Sequence, residues 1–144
     1  MSAVIGVRRS SSSPTAADDD WSAYPDERRA IADALAEAGV KNLIMVAGDA
    51  HMVAIDDGTG SGYSSAGEPG FPILHAGALD RRGSVKGGPY SHGTFPGGGQ
   101  YGIVEIGDDG GDTIEVGLRG YTWDRDLLVS LDLSFPVAES TDGT

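Results

Sequence analysis

The run Gly48-Asp49-Ala50-His51 stands directly after the apolar stretch Leu43-Ile44-Met45-Val46-Ala47. Imidazoles and carboxylates are the ligands with which a protein holds a cation that makes hydroxide near neutral pH and neutralises phosphoryl oxygens. The glycine permits a sharp exit from a strand, and the alternate residues Asp49 and His51 can point the same way, so both are candidate metal ligands. For a lone His51 the competing reading is a structural, hydrogen-bonded histidine.

Other side chains offer lesser chemistry. Arg81, Arg82 and Lys86 place three cations within six residues, just before a glycine-rich stretch. They read either as phosphate capture at the mouth of a site, aided by backbone N–H groups, or as a solvated turn. His92, inside that stretch, is either exposed or a substrate contact at the same mouth. His75 sits within the apolar run Ile73-Leu74-His75-Ala76, which suits a bonded core histidine or a support for the metal ligands. Arg28, with Trp21 and Tyr24, fits a structural clasp at a helix start, bonded to Asp20 or Asp49 and supporting the site indirectly. Asp56-Asp57-Gly58-Thr59-Gly60 lacks the alternating carboxylates and closing glutamate of a calcium loop, so a turn is expected. There is no Gly-Lys-Ser/Thr nucleotide loop. No residue is assigned as catalytic acid, base or nucleophile.

The elements that must position these residues follow from pattern. Pro25, with Asp26 and Glu27 behind it, suits the first turn of a helix. Ile31, Ala34, Leu35 and Ala38 then form one apolar face, and Gly39 ends the helix. Leu43 to Ala47 reads as a strand buried on both faces, as in parallel or layered sheets, and ligand sites gather at the carboxyl ends of such strands. Shorter strands are expected over 51–55 and 72–76, followed by a long glycine-rich loop over 83–102. Three strands close the chain. In the last two, Ile114, Val116 and Leu118, then Val129, Leu131, Leu133 and Phe135, alternate with other residues, as in half-buried antiparallel strands. Asp108-Asp109-Gly110-Gly111 is a hairpin turn.

The totals bound the rest. The chain has 144 residues, 39% of them hydrophobic and 22% charged, a globular balance that fits one domain or a piece of one. Its formal net charge of -12 disfavours binding to nucleic acid. With no cysteine, disulfides, thiolate metal sites and thiol nucleophiles are excluded. No apolar run approaches the roughly 20 residues of a membrane helix. Arg8-Arg9 is followed by serines and not by an apolar segment, so no signal peptide is read, and the compartment stays open. Residues 1–19 are expected to be a disordered polar arm, residues 20–136 the ordered segment, and 137–144 a frayed tail.

Taken in order, these features resemble the PhoD-like alkaline phosphatase D family of metallophosphoesterases. The resemblance is carried by Trp21-x-x-Tyr24-Pro25-x-x-Arg28, one helix, Gly39-Val40-Lys41-Asn42-Leu43, the apolar strand, and Gly48-Asp49-x-His51 running on to Gly58. It continues through Lys86-Gly87-Gly88-Pro89-Tyr90-Ser91, Phe95-Pro96-Gly97 and Gln100-Tyr101-Gly102, so it spans about residues 20–135. It implies the C-terminal half of a layered α/β/β/α sandwich, an α/β (α+β) fold with one main helix and mixed and antiparallel strands. It further implies His51 as a metal ligand, Asp49 holding the loop or touching the site, iron and calcium as the metals, and a phosphoester as substrate. The segments that bring the family's other ligands have no counterpart upstream of Trp21, where the one apolar run is Ala3-Val4-Ile5. The expectation is therefore a hydrolase fragment, inactive until an N-terminal half completes it, with self-association expected where one face or edge of the apolar strand Leu43 to Ala47 is left uncovered. The alternatives are a non-catalytic β-rich module binding a phosphorylated or sugar ligand, and a metal-binding interaction protein.

Overall fold

The computed structural model describes residues 3–7 and 23–137. In chain order the elements are β1 (Ala3–Val7), α1 (Pro25–Glu37), β2 (Leu43–Ala47), β3 (Met52–Asp56), β4 (Ile73–Ala76), β5 (Thr94–Pro96), β6 (Gln100–Gly107), β7 (Thr113–Thr122) and β8 (Leu127–Pro136). This is an α+β fold of one helix and two sheets among the described residues.

The first sheet has the order β1-β2-β4-β3-β5 and the second the order β6-β7-β8. β1 and β4 flank β2 in parallel, whereas β3 runs antiparallel to both β4 and β5. The second sheet is wholly antiparallel, with its β6–β7 turn at the Asp-Asp-Gly-Gly stretch. There the Asp108 and Asp109 carboxylates each accept a bond from the backbone N–H two residues on, at 2.9 Å.

Alternation along each strand decides the layers. Ile44, Ile55 and Leu74 leave one face of the first sheet and meet Val116 and Leu118 of the second, with Val104, Val129, Leu131, Leu133 and Phe135 around them. Leu43, Met45 and Ile73 leave the opposite face and pack with Phe71, Leu35 of α1 and Tyr63. β2 is therefore apolar on both faces because both are covered, by the helix layer and by the second sheet. Leu43, Ile44 and Met45 are buried by these neighbours, and Val46 and Ala47 are half-buried.

Two expectations are corrected. The arm foreseen over 1–19 begins with a strand: Ala3 to Val7 pair residue by residue with Leu43 to Ala47. Five residues carry too little local signal to mark a strand, and the free edge of β2 supplies the ladder. The rest of that arm, with Asp20 and Trp21, and the tail from 138 lie outside the described residues. The packed face of α1 is also shifted. Ala32 is buried and Ile31, Leu35 and Ala36 are half-buried, whereas Ala34 and Ala38 are exposed. Pro25 occupies the first turn as expected, and Tyr24 precedes it without a side-chain cap bond. The described helix is neither long nor apolar enough to cross a membrane.

Candidate functional site

Parallel pairing of β1, β2 and β4 brings their carboxyl ends to one rim of the first sheet, where the Gly48–His51 loop leaves β2. The sharp turn does not reside at Gly48. It resides at Asp49 and His51, whose φ angles are +68° and +56°. Left-handed backbone is rare for residues with a side chain, but Asp and His are among those that tolerate it. Two such residues flanking Ala50 bring the side chains together, with Asp49 Oδ1 3.9 Å from His51 Nε2. Both remain reachable, the imidazole 32% and the carboxylate 40% exposed, so the pair can offer two donors to a cation at the rim. Among the described residues, no group of three or more His, Asp or Glu side chains is gathered closely enough to hold a metal ion. The two donors thus fit part of a coordination sphere and not a complete centre.

The segment after β4 reaches the same rim. Ser84 donates from its backbone N–H to the His51 carbonyl at 3.1 Å and from its hydroxyl to the Ala50 carbonyl at 2.9 Å. Arg81 and Arg82, both exposed, precede Ser84 on this segment by three and two residues. Lys86 lies further on, its carbonyl accepting the Tyr90 hydroxyl at 2.9 Å. His92 is not brought there. Its backbone N–H bonds the Ile55 carbonyl, at the end of β3 away from His51, and its ring meets the Ser91 hydroxyl at 3.0 Å. With strand residues rising about 3.3 Å each, four residues put His92 and His51 roughly 13 Å apart along β3. The intervening chain runs along β3 before β5 turns back, so closeness in sequence to the glycines says nothing about which rim is served.

Arg28 also stays out of direct contact. Its guanidinium carbon lies over the Tyr63 ring, 4.0 Å from the centroid, a cation–π contact in place of the expected pairing with Asp49. The other expected partner, Asp20, lies outside the described residues.

His75 is a core histidine. Its ring stands edge-on to Tyr90, with centroids 5.3 Å apart, and its Nε2 is 3.1 Å from the Tyr90 oxygen. That hydroxyl already donates its proton to Lys86, so His75 must carry its proton on Nε2 and donate to the tyrosine. Nδ1 is then a bare acceptor, buried without a hydrogen-bond partner. A second proton there would have no solvation, and burial lowers the imidazole from 6.5 to about 4. Between those values the unfolded chain takes up a proton that the folded one refuses, so stability falls as pH drops from about 6.5 to about 4 and levels off below. The expected loss is on the order of 3 kcal/mol. Urea unfolding at pH 7.5 and 4.5 should show it, with a flatter dependence in His75→Phe; equal slopes in the two proteins would remove His75 as the cause.

Sequence reading placed Asp56 in a turn and gave it no further role. Its carboxylate is 1% exposed and accepts three backbone N–H bonds, from Gly58 at 2.9 Å, Gly60 at 3.0 Å and Ser91 at 3.0 Å. The stretch after it is accordingly a carboxylate-organised turn. Asp57 repeats the device at the surface, and its bonds from the Thr59 N–H and hydroxyl hold its carboxyl below the ordinary range. A cavity of about 530 Å³, lined among others by Leu35, Leu43, Phe71 and Phe135, opens at the start of β2, away from His51.

A buried parallel strand ending in an Asp-x-His turn, backed by one helix and a second sheet, describes a layered α+β protein with its candidate residues at a strand-end rim. Residues 1–74, which contain β1, α1, β2 and that turn, match the family described as PhoD-like phosphatase. The chain belongs to the PhoD-like phosphatase family, a family of hydrolases that is generally metal-dependent. The match ends at Leu74, short of the glycine-rich loop and the second sheet. No curated protein and no solved structure matches the chain.

Proposed function

We propose that this chain supplies one lip of the metal centre of a phosphoester hydrolase, with His51 as a direct ligand and Asp49 as its carboxylate partner. The observation that carries the reading is the paired left-handed backbone at Asp49 and His51, which turns both side chains out together at the carboxyl end of β2. It lies within the family-matched residues. The bound metals, iron with calcium by family resemblance, would activate water and neutralise the phosphoryl oxygens. Arg81 and Arg82 would draw the anionic substrate to the rim, since exposed cations beside a site raise the local concentration of anions. Two donors are too few for a two-metal centre, and these 144 residues alone are expected to show no turnover.

The test combines metal analysis with a phosphomonoester and phosphodiester assay, on this chain alone and on one extended with the family's remaining ligand segments. Metal-dependent turnover is expected only in the extended protein. There His51→Ala should lower kcat/KM by more than the roughly 10- to 100-fold that loss of an outer hydrogen-bonding partner costs. Turnover by the 144 residues unaided would refute the incompleteness. Undiminished turnover in His51→Ala would refute the ligand role.

A further inference from the structure

We infer that Ser84 is a positioning residue that clamps the His51 loop; its bearing on metal binding rests on the reading of His51 as a ligand, but the clamp itself does not. Ser84 gives two hydrogen bonds to two successive carbonyls, its hydroxyl to Ala50 at 2.9 Å and its N–H to His51 at 3.1 Å. Those carbonyls belong to the peptides on either side of the His51 α-carbon, so fixing them fixes the direction from which the imidazole leaves the backbone. The loop has need of such a hold. Asp49 at +68° and His51 at +56° occupy backbone states that persist only where surroundings impose them.

The clamp is itself anchored. Segment 81–84 holds the His51 loop through Ser84 and packs against the turn after β5 through Gly83 and Arg81. A β-carbon at Gly83 would overlap the backbone of Pro96 and Gly97, and one at Gly98 would stand 2.8 Å from the Arg81 carbonyl oxygen. With no space to retreat, Ser84 transmits the rigidity of β3 and β5, paired through Met52 and Pro96, to the ligand loop. The serine is half-buried, so water competes poorly for the two carbonyls.

The experiment uses the 144-residue chain, 15N-labelled, as wild type, Ser84→Ala and Ser84→Thr. Amide hydrogen exchange reports the loop, and manganese(II) alone, read by paramagnetic broadening of the His51 ring protons, reports the ligand. Ser84→Ala should speed exchange of the Ala50–Met52 amides at least about tenfold while the second sheet is unchanged. It should also raise the manganese concentration needed for half-broadening at least about threefold. Ser84→Thr keeps both donors and should restore both readouts. Unchanged exchange in Ser84→Ala, or no rescue by threonine, overturns the clamp. If manganese leaves the wild-type His51 ring unaffected, two donors do not hold the ion without further ligands, and exchange alone decides the clamp. Should Ser84→Ala not fold, Ser84→Cys retains the volume with a weaker donor; intermediate exchange supports the clamp and wild-type exchange overturns it.

Discussion

Asp56→Ala is expected to destabilise the fold by about 4 kcal/mol, the largest effect of any single truncation of a polar side chain here. The carboxylate is buried at the end of β3, and its two oxygens hold the N–H groups of Gly58, Gly60 and Ser91. Bonds to a charged acceptor contribute about 1.5–3 kcal/mol each, but they act together and do not simply add. Alanine removes the one acceptor group that these three part-buried N–H donors share. It also removes one of the two bonds that tie Ser91 to the end of β3, leaving the one from the Asp57 N–H to the Ser91 hydroxyl. Asp56→Asn keeps one acceptor oxygen and turns an N–H₂ toward a backbone N–H. About half the loss is expected from it, since one favourable set of bonds survives. Urea unfolding of the three proteins at pH 7 checks the order. A loss under about 1 kcal/mol for alanine would show that the turn organises itself without the carboxylate.

Gly120→Ala is expected to cost about 2–3 kcal/mol by forcing the two sheets apart. Gly120 lies in β7 opposite β3, and an added β-carbon would overlap the Val53 side chain and come within 3.1 Å of Val129 Cγ1. Val53 is fully buried in a strand with a neighbour on each edge, so it has nowhere to turn. The same site predicts its own rescue. Val53→Ala alone opens a cavity and is destabilising, yet combined with Gly120→Ala it removes the overlap that the new methyl creates. A double-mutant cycle should therefore return a favourable coupling of about 1–3 kcal/mol. Strict additivity would mean that some other contact sets the sheet spacing.

Both residues illustrate what a sequence withholds. Nothing in Asp56-Asp57-Gly58 separates a solvated turn from a buried anchor, because the deciding partner, Ser91, is 35 residues away. Gly120 reads as a weak point in a strand until β3 is laid against it. The glycine-rich stretch reads as structureless from composition, yet it contains β5, three residues too short to show any period and defined by its pairing with β3. His92 and Lys86 share that stretch but meet different partners, the Ile55 carbonyl for one and the Tyr90 hydroxyl for the other. By contrast, the alternation of β8 survived intact, with Val129, Leu131, Leu133 and Phe135 turned to the core and Ser130, Asp132 and Ser134 exposed.

What the sequence determined by itself is what local patterning can carry: one proline-started helix, a doubly apolar strand, an Asp-x-His turn at that strand's carboxyl end, and two alternating strands. Those same features, in that order, carry the family. The tertiary structure decided which long-range neighbours complete them. It gave Ala3–Val7 a ladder on β2, put Tyr90 on His75 and so fixed the tautomer, and brought Ser84 to the carbonyls beside His51. The physical reason is that hydrophobic period and backbone preference act over a few residues, whereas register and hydrogen-bond partnership are chosen only when distant strands meet.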